Sequence, residues 1–94
     1  EIGVRLVGSE MCIRDSTNTV RYLCQWAVRE RNMNRIQIRC AVGNIPSNAV
    51  PKRLGFTLEG TEREGELLTS GEYVNVNVYS ILKKEIEQWN RKSN

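Results

Sequence analysis

Gly43-Asn44-Ile45-Pro46-Ser47-Asn48-Ala49-Val50-Pro51-Lys52-Arg53-Leu54-Gly55-Phe56 carries the densest structural signal in the chain. Just before it, Ile36, Ile38, Cys40 and Val42 alternate with Gln37, Arg39 and Ala41. That period of two is the pattern of a strand with one buried face. Within the stretch, Ser47 to Leu54 reads as a short helix with Ser47 as its N-cap, Pro51 tolerated near its first turn and Gly55 closing it. A strand, a polar loop and a helix N-terminus therefore come in quick succession. Such a succession leaves backbone amides and the positive helix end beyond the strand's carboxyl edge, where an anionic or amide-bearing ligand can lie.

The rest of the chain narrows the class. Its 94 residues allow one small domain with a modest core. Fourteen Lys and Arg against 11 acids give a net charge of +3 that is spread along the chain, so no electrostatic footprint for nucleic acid is expected. Cys12, Cys24 and Cys40 are odd in number, include no CxxC pair and have no histidine beside them. A zinc site or a disulfide framework is therefore not expected, and a reducing, cytoplasmic setting is. No run of about 18 apolar residues exists to span a membrane. Residues 2–7 are too short for a signal peptide and lack a cleavage site.

Residues 1–16 do not resemble the remainder of the chain. Leu6-Val7-Gly8-Ser9-Glu10-Met11-Cys12-Ile13-Arg14-Asp15-Ser16 back-translates with ordinary codons into a string resembling a transposase-adapter oligonucleotide used in sequencing libraries. The expectation is that residues 1–16 are adapter-derived and that the native domain covers residues 17–94, in truncated form. Arg5-Leu6-Val7-Gly8-Ser9-Glu10 also suggests a phosphate-binding loop of the R-x-x-G-x-G/A type. Glu10 rejects that reading, because its carboxylate repels a pyrophosphate and its side chain blocks close backbone approach.

From Thr17 the pattern is regular. Val20, Leu23, Cys24, Ala27 and Val28 fall at helical spacing, which predicts an amphipathic helix capped at Thr17, Asn18 or Thr19 and ending near Arg31 or Met33. Tyr22 and Trp26 on that helix read as core or interface rather than as a platform for bases. Val74, Val76 and Val78 alternate with Tyr73, Asn75, Asn77 and Tyr79, a strand with one polar face. Gly60, Gly65 and Ser70-Gly71 mark bulges or turns, so residues 57–64 and 72–80 are expected to pair as a long hairpin. Leu82, Ile86 and Trp89 predict a terminal amphipathic helix that frays from Arg91.

With this order in hand, the chain resembles the carboxyl-terminal half of a GNAT-fold N-acetyltransferase, most closely the ribosomal-protein alanine acetyltransferase branch of the RimL/RimJ type. The resemblance is carried by Arg35-Ile36-Gln37-Ile38-Arg39-Cys40, Asn44, Ser47-Asn48-Ala49-Val50, Arg53-Leu54-Gly55-Phe56, Glu59-Gly60, Gly71-Glu72-Tyr73 and Val78-Tyr79-Ser80. It extends from Thr17 to Asn90. It implies an α/β (α+β) architecture: a mixed sheet with splayed parallel strands, a long hairpin and packing helices. It also implies acetyl-CoA as donor, lying in the wedge between the splayed strands, with its pyrophosphate on a Q/R-x-x-G-x-G/A loop for which this sequence has no match.

Residue by residue, the resemblance implies that Asn44 hydrogen-bonds the pantetheine arm and that Ser47, also at the cofactor, acts as general acid toward the departing thiolate. Glu66 corresponds to the general base, and Tyr73 and Asn75 to substrate-facing positions. No metal is implied. Taken alone, Asn44 is also a turn or cap residue, and Glu66 is also a solvated acid among Glu59, Glu62, Glu64 and Glu72. The implied activity is transfer of acetyl to a primary amine, most readily a protein N-terminus, by direct attack in a ternary complex within a cytoplasmic enzyme that can form a homodimer. Two alternatives stand beside it. One is an inactive half-domain with an exposed sheet edge prone to self-association; the other is an acetyltransferase for small amines such as polyamines or aminoglycosides, drawn by the acids of residues 62–72.

Overall fold

The alternation at Ile36, Ile38 and Cys40 becomes β2 (Arg35–Ala41), and its three apolar side chains are almost wholly removed from solvent. Burial of this kind contributes about 1.5–3 kcal/mol for each large aliphatic side chain, which is why the strand sits inside the sheet. The structure, a computed structural model, describes residues 2–5 and 13–92, with side chains from residue 17 to residue 89. β1 (Ile2–Arg5) pairs parallel with β2, from Ile2 opposite Ile36 to Arg5 opposite Arg39. β3 (Thr57–Leu67) and β4 (Tyr73–Leu82) form the expected antiparallel hairpin, and β4 also runs antiparallel to β2 with Tyr79 opposite Ile38. The sheet order is β1-β2-β4-β3.

Among the described residues, three helices supply the other layer: α1 (Ile13–Arg31), α2 (Ile45–Arg53) and α3 (Lys83–Lys92). Val20, Cys24 and Ala27 of α1, Val50 and Leu54 around α2, and Ile86 of α3 close over Ile36, Ile38, Cys40, Tyr79 and Ile81 as one core. Trp26 is half-buried against this core with Arg31 stacked 5.4 Å from its ring centroid, so it serves the fold, whereas Tyr22 is exposed.

Several boundaries depart from the sequence reading. α1 begins at Ile13 rather than at a cap among residues 17–19, and its buried stripe is Val20, Cys24 and Ala27, with Leu23 at the exposed edge. Asn32, in the left-handed region at φ 52°, ends it. Val42 leaves the strand and is exposed. The chain 2–5 is part of the sheet, residues 6–12 lie outside the described residues, and the strand splay expected beyond the β1–β2 pairs falls there. α3 continues through Lys92 where fraying was expected, and Glu85 accepts from the Leu82 N–H at 2.9 Å as half of a capping box.

The polar face assigned to β4 is the larger correction. Residues paired across β2 and β4 share a face, so Tyr79 and Asn77 lie with Ile38 and Cys40 beneath the helices. Val76 and Val78 are buried on the opposite face, which carries the Arg35–Glu59 and Arg39–Glu62 ion pairs, both at 2.6 Å. Tyr79 belongs in the core despite its hydroxyl because that hydroxyl has a buried partner. The hairpin bulges where glycine suggested it, with register shifts between Leu58 and Gly60 and between Glu62 and Glu66.

Candidate functional site

The site forms where β2 ends and α2 begins. Asn44, not Ser47, caps α2: its side-chain oxygen accepts from the Ser47 N–H at 3.2 Å, and its carbonyl accepts from the Asn48 N–H at 3.1 Å. Ser47 is thus inside the helix and buried, in its first turn. The sequence N-x-x-S offers two candidate caps, and the chain uses the first because Pro46 already has the φ of a helix and needs no N–H there.

Moving the helix start moves Pro51 from the first turn into the interior. Pro51 has no N–H to give to the carbonyl four residues back, which belongs to Ser47. The buried Cys40 thiol supplies the missing donor, at 3.3 Å from the Ser47 oxygen. Burial pushes the Cys40 thiol up to about 11, so it remains a protonated donor at neutral pH. At the other end, the Gly55 N–H returns to Lys52 and the Phe56 N–H to Pro51, with Gly55 at φ 80°, a Schellman closure.

Most of the amides expected to be free at this helix end are therefore occupied. Pro46 has none, and those of Ser47 and Asn48 go to Asn44. The amide donors that remain here among the described residues are the Ile45 N–H, on a residue 77% exposed, and the Asn44 side-chain NH2. Both lie at the positive end of α2, whose first turn carries no acid. A thioester arm with amide and carbonyl acceptors fits that donor set.

Asn48 is the site residue to which sequence reasoning gave no role. It is 5% exposed, and its amide is fully used. Its NH2 donates to the carbonyls of Ala41 at 2.9 Å and Asn44 at 2.7 Å, and its oxygen accepts from Asn77 at 2.9 Å and from the Tyr79 hydroxyl at 2.7 Å. Asn77 in turn accepts from Thr61 at 2.8 Å. The local signal was only an asparagine inside a helix next to an apolar run.

The other expected residues gather at the same end of the sheet. Asn75 meets the loop directly, its carbonyl accepting from the Val42 N–H at 2.9 Å. Its side chain accepts from the Glu64 N–H at 2.8 Å and so holds the bulge, where Glu64 has φ 49°. Tyr73 is exposed at the outer end of β4, opposite Leu67. Glu66 pairs with Val74, beyond the Ala41–Val76 pair that ends β2. It thereby shares the face of Val74, opposite the helices, while Ser47 lies on the helix face. Among the described residues no cluster of three or more His, Cys, Asp and Glu could hold a metal, and no helix is long and apolar enough to cross a membrane.

This mixed sheet in the order β1-β2-β4-β3, with one layer of helices and this strand-to-helix turn, matches part of the fold of GNAT-type acetyltransferases. No protein-family model matches the chain. Among curated proteins it is similar to YdaF of Bacillus subtilis (strain 168), provisionally described as a ribosomal N-acetyltransferase, with 44% identity over 71 residues, 76% of this chain and 38% of that protein. Among solved structures it is similar to RimL, a ribosomal L7/L12 α-N-protein acetyltransferase in complex with coenzyme A. That match has 35% identity and a TM-score of 0.67 over 72% of this chain and 38% of RimL. It is also similar to the microcin C7 self-immunity acetyltransferase MccE in complex with acetyl-CoA and AMP, at 37% identity and TM-score 0.66 over 71% of this chain and 37% of MccE. The chain spans less than half the length of each of these proteins.

Proposed function

We propose that this chain carries the thioester end of an acetyl-CoA site and forms the carboxyl-terminal part of an enzyme that acetylates a protein N-terminal amine. The observation that carries the reading is the Asn44 cap: it orders the start of α2 while keeping its NH2 and the Ile45 N–H for acceptors on the pantetheine arm. The names of YdaF and RimL support a ribosomal-protein acceptor. The complexes of RimL and MccE support coenzyme A chemistry.

In this mechanism the amine attacks the thioester carbonyl, a C–N bond forms, and the C–S bond breaks. Ser47, held at the positive end of α2, stabilises the departing sulfur and supplies it with a proton, which its hydroxyl regains from the nitrogen of the tetrahedral adduct. Glu66, on the opposite face of the sheet from Ser47, takes the proton from the attacking ammonium through water at the end of the sheet. Tyr73 and Asn75 flank the acceptor. Residues 1–16 are read as adapter-derived, standing in the place of the loop before α1 that would hold the pyrophosphate.

A second reading is favoured by the acids of the hairpin. Glu64, Glu66 and Glu72 lie beyond the Arg39–Glu62 pair and suit a small cationic amine as well as a basic peptide terminus. The experiment is a thiol-release assay with acetyl-CoA, using the parent protein with peptide amines, polyamines and aminoglycosides. Turnover with an N-terminal peptide, reduced at least tenfold by Ser47→Ala and Glu66→Gln, supports the proposal. Turnover with polyamines alone supports the second reading, and no turnover on any amine refutes both.

A further inference from the structure

We propose that Asn48 is a positioning residue that ties the acceptor-side hairpin to the cofactor-side loop, and that Thr61 and Asn77 are the far part of the same relay; this rests on the proposed function. A side-chain amide has two donor hydrogens and two acceptor sites, and Asn48 uses all four: on Ala41 of β2, on the α2 cap Asn44, and on Asn77 and Tyr79 of β4. Its two donors grip the carbonyls of Ala41 and Asn44, which bracket the whole β2–α2 turn. Its acceptor is held by two side chains of β4, one of which, Asn77, is fixed from β3 by Thr61.

Thr61 is exposed on the hairpin, whereas Asn48 is buried against the turn, so the chain of hydrogen bonds runs from surface to site. The turn itself has few other restraints: Val42 is 45% exposed and Gly43 would accept a side chain without contact. Without Asn48, nothing among the described residues holds the Ala41 and Asn44 carbonyls in one orientation except the Asn44 and Asn48 backbone amides. Asn44's NH2, the proposed pantetheine donor, would then be directed only by those two amides and by the Ser47 N–H on its own side-chain oxygen. Hydrogen bonding by Asn48 thus sets the direction of a neighbouring group instead of touching the substrate.

The test is amide hydrogen exchange by NMR on the 94-residue chain, together with an acetyl-CoA titration. Asn48→Asp keeps the shape but turns the two donors into a carboxylate facing two carbonyls. We expect the amides of residues 47 and 48 to exchange at least tenfold faster, and those of Ile38 and Tyr79 to change less than threefold. Thr61→Val, at an exposed position, accelerates the same two amides by twofold to threefold. Acetyl-CoA affinity falls at least tenfold in Asn48→Asp but less than twofold in Val20→Ala, a core substitution in α1 with no hydrogen bond to the turn. Unchanged protection of residues 47 and 48, one common acceleration of all amides, or equal affinity losses in Asn48→Asp and Val20→Ala would overturn the proposal. If the unmodified chain takes up no acetyl-CoA, the functional reading fails and the exchange pattern alone decides the positioning role.

Discussion

Replacing Asn44 by Asp separates the two duties of that residue. The cap needs only a side-chain oxygen to accept from the Ser47 N–H, now 3.2 Å away, and Asp retains it. It also adds a negative charge to a helix end with no acid in its first turn, favourable by about 0.3–1 kcal/mol. Asn44→Ala removes the cap, at a cost of about 1 kcal/mol, or roughly 4–8 °C in Tm for a domain of this size. The ligand side behaves differently. Both substitutions delete the NH2 donor, worth about 0.5–1.5 kcal/mol as one neutral hydrogen bond, and Asp adds an acceptor facing acceptors, a further penalty of about 1–3 kcal/mol. Acetyl-CoA affinity should therefore fall about threefold to tenfold in Asn44→Ala and more than tenfold in Asn44→Asp. Stability should fall in the first and hold or rise in the second. Urea unfolding followed by Trp fluorescence and calorimetric titration with acetyl-CoA give both quantities. Unimpaired binding by Asn44→Asp would refute the assignment of the donor, and loss of stability in that variant would refute the assignment of the cap.

The core and the ion pairs have consequences of their own. Ile38→Ala, at a fully buried position in β2, should cost about 2–5 kcal/mol in urea unfolding, a large share of the stability of so small a domain. Burial pushes Cys24 up to about 12 and Cys40 to about 11 from an ordinary 9.0, so the unfolded thiols ionise first and stability falls from pH 9 up to about 12; iodoacetamide should label neither at neutral pH until urea unfolds the chain. Glu59 is held below the usual carboxylate range by the Ser80 hydroxyl and, against some desolvation, by Arg35. Its contribution is present above an ordinary 4.5 and lost as pH falls below it, so Glu59→Gln should flatten the acid limb of the unfolding midpoint and change little at neutral pH. Gly55→Ala, at φ 80°, should cost about 1–2 kcal/mol from backbone strain although nothing crowds the new methyl.

What the sequence revealed was whatever local pattern dictates. Ile36, Ile38 and Cys40 announced a buried strand, Gly55 a helix end, and Gly60 and Gly65 the bulges, because each depends on near neighbours or on φ. Alternation in 73–79 marked β4 but assigned its faces wrongly. Tyr79 and Asn77 are compatible with the helix layer only because Asn48, about thirty residues earlier, satisfies them, and no local count sees such a bond. The cap was misplaced by one short choice between Asn44 and Ser47, and with it the setting of Pro51 and the duty of the Cys40 thiol. Asn44 and Ser47 were named as candidate site residues through the resemblance, whereas Asn48 as a hub was not.

The proposed function stands or falls on whether the start of α2 receives the thioester arm. An NMR titration of the labelled chain with acetyl-CoA decides this without recourse to turnover. The largest shifts are expected at the Asn44 side-chain NH2 and at the amides of Ile45 and Ser47. Absence of shifts there, or shifts confined to the groove lined by Arg53, Gly55, Glu85 and Trp89 between α2 and α3, would contradict it.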